Sequence, residues 1–88
     1  MTDPHLSQTE SKLLACLLLF YREIGPAATP AIRGGLDKES DLERHELEEA
    51  VKGLRAKGLI EYWELKPAVR LTREGLLLAQ RLYGKEGG

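Results

Sequence analysis

One stretch of the chain breaks an otherwise helical pattern. From Leu59 to Leu71, residues suited to strands replace the helical spacing of apolar residues. Leu59-Ile60-Glu61-Tyr62-Trp63-Glu64-Leu65 is β-branched, aromatic and alternating, so it reads as a strand. Lys66-Pro67 makes the turn, and Ala68-Val69-Arg70-Leu71 returns as a second short strand. A single hairpin among helices predicts a mainly α chain with a small β-hairpin, an α+β fold.

The helices are bounded by start and stop signals. Ser7-Gln8-Thr9-Glu10 is a capping box: the Ser7 hydroxyl accepts from the third helical N–H and Glu10 reaches back to the N-cap N–H. The first helix then runs to about Glu23. Leu13, Leu14, Leu17, Leu18 and Tyr21 mark its buried stripe, and Gly25-Pro26 ends it. Thr29-Pro30 opens a short second helix that Gly34-Gly35 stops, with Ala31 and Ile32 inward. Leu36-Asp37-Lys38-Glu39 reads as a turn. Ser40-Asp41-Leu42-Glu43 is another capping-box pattern, with Ser40 or Asp41 as the cap of a third helix that reaches about Lys57. Leu47, Ala50, Val51 and Leu54 form its core face, and Gly58 is a left-handed stop. After the hairpin, Thr72 caps a last helix from Arg73 to about Tyr83, which Gly84 ends; the tail from Lys85 is expected to fray.

The order is therefore helix-helix-helix-strand-strand-helix. Helices two and three form a helix-turn-helix unit and the hairpin behind them its wing. With 88 residues, this is one domain over 1–88, with an ordered core at about 7–83.

Leu47-Glu48-Glu49-Ala50-Val51-Lys52-Gly53-Leu54-Arg55-Ala56-Lys57-Gly58-Leu59-Ile60-Glu61, followed after a hairpin-sized gap by Leu71-Thr72-Arg73-Glu74-Gly75-Leu76-Leu77-Leu78-Ala79, resembles winged-helix regulators of the MarR and PadR type. The resemblance covers about Ser7 to Tyr83. It implies binding of double-stranded DNA, with the third helix in the major groove and the wing against the backbone. The Asp-x-Arg of the MarR-type wing is missing, and Arg70 is the base nearest its place.

The charge pattern bears on partners. Net charge is −1, but residues 1–50 carry five Lys/Arg against ten Asp/Glu, and residues 51–88 carry eight against four. An anionic partner should favour the C-terminal half. Lys66, Arg70 and Arg73 around the wing, with Arg33 and Lys38 at the ends of helix two, are candidate phosphate contacts. Arg44 and His45 are the candidate base readers. Most other residues of the leading half of helix three are acids, which leaves three readings open. The acids at the start and Lys52, Arg55 and Lys57 at the end complement the helix dipole, with Glu48–Lys52 as an i,i+4 pair; or the acids form a face for a protein partner; or Arg44 and His45 read bases among them.

Leucines exceed one stripe on the first and last helices, so a homodimer through Leu19, Phe20, Leu77, Leu78 and Leu82 is expected. Tyr62 and Trp63 point to opposite faces of their strand, one to the core and the other exposed. The transcriptional-regulator reading has one alternative, a non-catalytic protein-interaction module whose acidic helix three does not read DNA. Enzymatic machinery is not expected: the sequence has no phosphate loop, nucleophile elbow or triad. One cysteine and two scattered histidines predict no metal and no cofactor. Cys16 reads as a buried, inert thiol that makes no internal disulfide. The longest apolar stretch, Leu13 to Tyr21, is too short to span a bilayer, and Met1-Thr2-Asp3-Pro4 lacks a basic start, so a cytoplasmic location is expected by default.

Overall fold

The computed structural model describes residues 5–25, 35–63 and 68–84, the Trp63 side chain excepted. The elements run α1 (Gln8–Ile24), α2 (Asp37–Glu39), α3 (Arg44–Ala56), β1 (Ile60–Trp63), β2 (Ala68–Leu71) and α4 (Arg73–Tyr83). The described residues are mainly helical with one two-stranded antiparallel sheet, an α+β arrangement.

The α1 capping box forms as the sequence implies. The Glu10 N–H donates to the Ser7 hydroxyl at 3.2 Å, and the Ser7 N–H donates to Glu10 Oε1 at 2.9 Å. Leu13, Leu14, Leu17 and Leu18 are buried along the expected stripe. Gly25, at φ 109°, closes the helix with its N–H on the Tyr21 carbonyl. The second helix expected from Thr29-Pro30 lies outside the described residues.

The junction before α3 differs from the sequence reading. Leu36–Glu39 is not a turn: Asp37–Glu39 is a short helical turn, and Leu36 just before it is fully buried in the core. Ser40 closes this turn instead of capping α3. Its N–H and its hydroxyl both donate to the Leu36 carbonyl. Asp41 then takes a left-handed conformation, φ 59°, which a short polar side chain tolerates better than most. The cap of α3 falls on Glu43, whose N–H donates to Glu46 Oε1 at 3.0 Å. Leu42 and Leu47, both buried, occupy the positions of a hydrophobic staple around that cap. The physical cause is tertiary: burying Leu36 winds the chain there and uses Ser40 up.

From α3 onward the local signals hold. Leu47, Ala50, Val51 and Leu54 are the buried face. Gly58 sits at φ 74°, and the Leu59 N–H returns to the Leu54 carbonyl at 2.9 Å. The register pairs Ile60 with Leu71, Glu61 with Arg70, Tyr62 with Val69 and Trp63 with Ala68. Residues 64–67, including the expected turn at Lys66-Pro67, lie outside the described residues. A lone hairpin is marginal in water; here buried Ile60 and Val69 tie it to the α1–α3 core.

Thr72 does three things at the start of α4. Its N–H donates to the Leu59 carbonyl at 3.0 Å, its hydroxyl donates to the Gly58 carbonyl at 2.7 Å, and the same oxygen accepts from the Gly75 N–H at 3.0 Å. The first turn of α4 thus lies on the turn that ends α3. The approach is so close that a Cβ on Gly75 would stand 1.9 Å from the Leu59 carbonyl oxygen. Gly75, Leu78 and Ala79 are the buried face of α4.

A second close approach joins α1 to α3. The Glu10 carboxylate, 7% exposed, crosses Gly53, where a Cβ would stand 1.8 Å from Oε2. One helical turn on, the same oxygen accepts from Lys57 Nζ at 2.9 Å. Burial alone would raise the Glu10 carboxyl pKa, but hydrogen bonds from Lys57 and Ser7 and the Lys57 charge outweigh it and hold the pKa below its ordinary value of 4.5. A carboxyl with a lowered folded pKa adds stability that is present above its unfolded pKa and is lost as pH falls through the folded one. Glu10→Gln keeps an acceptor for the Ser7 N–H and loses the ion pair. It should cost about 1.5–3 kcal/mol at neutral pH, the range for a hydrogen bond to a charged group. Urea titrations from pH 7 to below 4.5 should show the wild type losing this advantage over the variant; a gap that does not change with pH would remove Glu10 from the account.

Candidate partner-binding face of α3 and the hairpin

The polar side of α3 is open to solvent: Arg44, His45, Glu48, Glu49, Lys52 and Arg55 are all exposed. Its leading half is internally matched in charge. Arg44 Nε lies 3.6 Å from Glu48 Oε2, and His45 Nδ1 lies 3.7 Å from Glu43 Oε1. Glu48 thus pairs back towards the helix start, and not with Lys52 as the spacing suggested. On the hairpin, Arg70 and Glu61 are register partners and their side chains meet at 3.0 Å. Such exposed pairs are worth little in stability, ~0–1 kcal/mol, but each occupies a cation that a phosphate would need.

The trailing half of α3 differs. Among the described residues, Lys52 and Arg55 have no carboxylate partner. The Arg55 guanidinium lies over the Tyr62 ring, 4.4 Å from its centroid. Tyr62 shares a strand face with buried Ile60 but sits where the core runs out, and is 44% exposed. Between helix and strand lies a groove of about 340 Å³ lined by Glu48, Val51, Lys52, Arg55 and Tyr62. The sequence shows an exposed aromatic and two bases, but not that they meet. They are seven and ten residues apart, and the reversal at Gly58 brings Tyr62 back over Arg55.

The remaining candidates are dispersed. Lys38 is exposed on α2, Arg73 is exposed at the first residue of α4, and Arg70 is half-exposed two residues before its cap. Arg33 and Lys66 lie outside the described residues. Of the expected dimer leucines, Leu19, Leu77 and Leu82 are exposed, by 59%, 53% and 40%. Leu19 and Leu77 lie on the outer faces of their helices, with Lys12 and Glu23 flanking the first at helical spacing and Arg73 and Arg81 the second. Phe20 is half-buried against the core. Leu78 must be struck from that set. It is 2% exposed, because the phase of α4 is fixed by Gly75 on the Leu59 carbonyl and turns Leu78 inward beside Ala79.

Cys16 is buried in α1, and burial first, then the nearby Glu39 charge, pushes its thiol pKa up to about 11. Such a thiol is almost wholly protonated at neutral pH and a poor nucleophile. Among the described residues, no cluster of His, Cys, Asp and Glu is arranged to hold a metal ion, and no helix is long and apolar enough to cross a membrane.

Fold and surface together define an α+β chain with a solvent-facing helix beside a two-stranded hairpin. No family model, curated protein or solved structure matches the chain.

Proposed function

We propose that the chain is a winged-helix DNA-binding protein, a transcriptional regulator that acts as a homodimer. One observation carries this reading: α3 presents an unobstructed polar face directly before an antiparallel hairpin, with Arg70 and Arg73 at the hairpin's return. That is the element order of a recognition helix and its wing. Backbone contacts fall to Arg70, Arg73 and Lys38, with Lys66 and Arg33 beside them in sequence, and base contacts to Arg44 and His45. Because Arg44 is already paired with Glu48, it must exchange a carboxylate for a base edge when it binds.

Fluorescence anisotropy on labelled duplexes tests the assignment. Arg70→Ala should weaken binding to all sequences alike and lower the salt slope by about 1, whereas Arg44→Ala should cost about 1–3 kcal/mol at particular base pairs and relax preference there. The double change Glu48→Gln, Glu49→Gln should strengthen binding by removing repulsion. Sedimentation equilibrium should show a dimer held by exposed apolar residues of α1 and α4; a monomer at high micromolar concentration would discard the dimer.

A second reading, a non-catalytic protein-interaction module, is favoured by one specific observation: Arg44, His45 and Arg70 each face a carboxylate of this chain. If the Glu48/Glu49 double change leaves DNA affinity flat but abolishes a protein partner's binding, this reading replaces the first.

A further inference from the structure

The cations of α3 fall into two groups. Arg44 and His45 are matched by carboxylates, whereas among the described residues Lys52 and Arg55 have no carboxylate partner and stand over an apolar floor. That floor is Val51, 3% exposed, and the Tyr62 ring, and the groove holds about 340 Å³. A site that joins an apolar floor to unmatched positive charge suits a ligand that is both apolar and anionic. Duplex DNA supplies the charge but brings little apolar surface. Its continuous backbone would also have to pass the carboxylates of Glu48 and Glu49 on the same helix. A short peptide seats one side chain and ends.

We propose that the groove between α3 and β1 docks an acidic peptide segment of a partner protein, with one apolar side chain against Val51 and Tyr62 and flanking carboxylates on Lys52 and Arg55. The inference goes beyond DNA binding and does not depend on it. The carboxylate of Glu48, held by Arg44, forms the groove's third side and repels a peptide carboxylate there, so the peptide's acids are directed to the side where Lys52 and Arg55 stand. The Arg55–Tyr62 contact holds both groups in place before the ligand arrives, which reduces the ordering cost of binding. A peptide seated there covers part of the polar face of α3, so it and any ligand of that face would exclude one another.

The test uses the full chain and a fluorescein-labelled peptide of about twelve residues, half Asp and Glu, with one central Phe between two Leu. The expected dissociation constant is on the order of 10–100 µM, with weakening of about tenfold or more for Tyr62→Ala and for the pair Lys52→Glu, Arg55→Glu. Tyr62→Phe keeps the ring and should bind like the wild type. Replacing the peptide's three apolar residues with Ser should weaken binding about tenfold with no change to the protein, which keeps the test sound if a protein variant fails to fold. In a ¹H–¹⁵N titration the amides of Val51, Lys52, Arg55 and Tyr62 should move first. Three results would overturn the proposal: equal binding of the Ser-substituted peptide, movement of those amides with duplex DNA but not with the peptide, or their movement with protein concentration alone, which would make the occupant a second copy of the chain.

Discussion

Gly75→Ala should destabilise the protein by at least about 3 kcal/mol, the upper end of what overpacking a close contact costs. The new Cβ would stand 1.9 Å from the Leu59 carbonyl oxygen and 2.8 Å from its carbon. Both are backbone atoms, so no side-chain rotation relieves the clash. The oxygen is also the acceptor for the Thr72 N–H, so backing α4 away breaks that bond and strains the Thr72 cap. Alanine's better helix propensity returns only about 1 kcal/mol. For a domain of this size, 3 kcal/mol corresponds to a fall in Tm of roughly 12–24 °C. Urea or thermal unfolding followed by circular dichroism measures it, and a loss below about 0.5 kcal/mol would mean that α4 does not rest on the Gly58–Leu59 turn.

Leu54→Ala should cost about 2–5 kcal/mol. Leu54 is fully buried among the residues that join α3 to α1, and its carbonyl accepts the Leu59 N–H that turns the chain into the hairpin. Truncation leaves a cavity that the surrounding leucines fill only in part. Leu77→Ala, compared at protein concentrations where the chain is monomeric, is the matched control: its side chain is 53% exposed, so the change should stay within about 0.5 kcal/mol. If both variants lose the same amount, the core face of α3 is misassigned.

What was legible in the sequence was local. The Ser7–Glu10 box, the left-handed Gly58, the Thr72 cap and the buried stripe of α3 each follow from residues within a few positions of one another, and each appears at its expected place. What was not legible depends on distant partners. Ser40 has the chemistry of an N-cap, but burial of Leu36 draws its hydroxyl backwards and leaves the cap of α3 to Glu43. Gly53 looks like a weak point in a helix until Glu10, 43 positions earlier, lies across it. Leu76-Leu77-Leu78 shows surplus leucine without saying which one is inside; the contact at Gly75 sets that phase. The groove escaped for the same reason. Lys52 and Arg55 near a helix end read as dipole partners, and only the returning strand shows that Arg55 lies over an aromatic ring.

The proposed binding of duplex DNA by α3 and the hairpin should show itself in a dependence on salt. Few cations are available, so affinity should be modest and fall steeply as salt displaces the contacts. Anisotropy of a labelled duplex titrated from about 50 to 200 mM salt should give a log–log slope near −3 for a monomer making about three phosphate contacts, and near −6 for the dimer. No binding at the lowest salt, or a slope near zero, would contradict the claim.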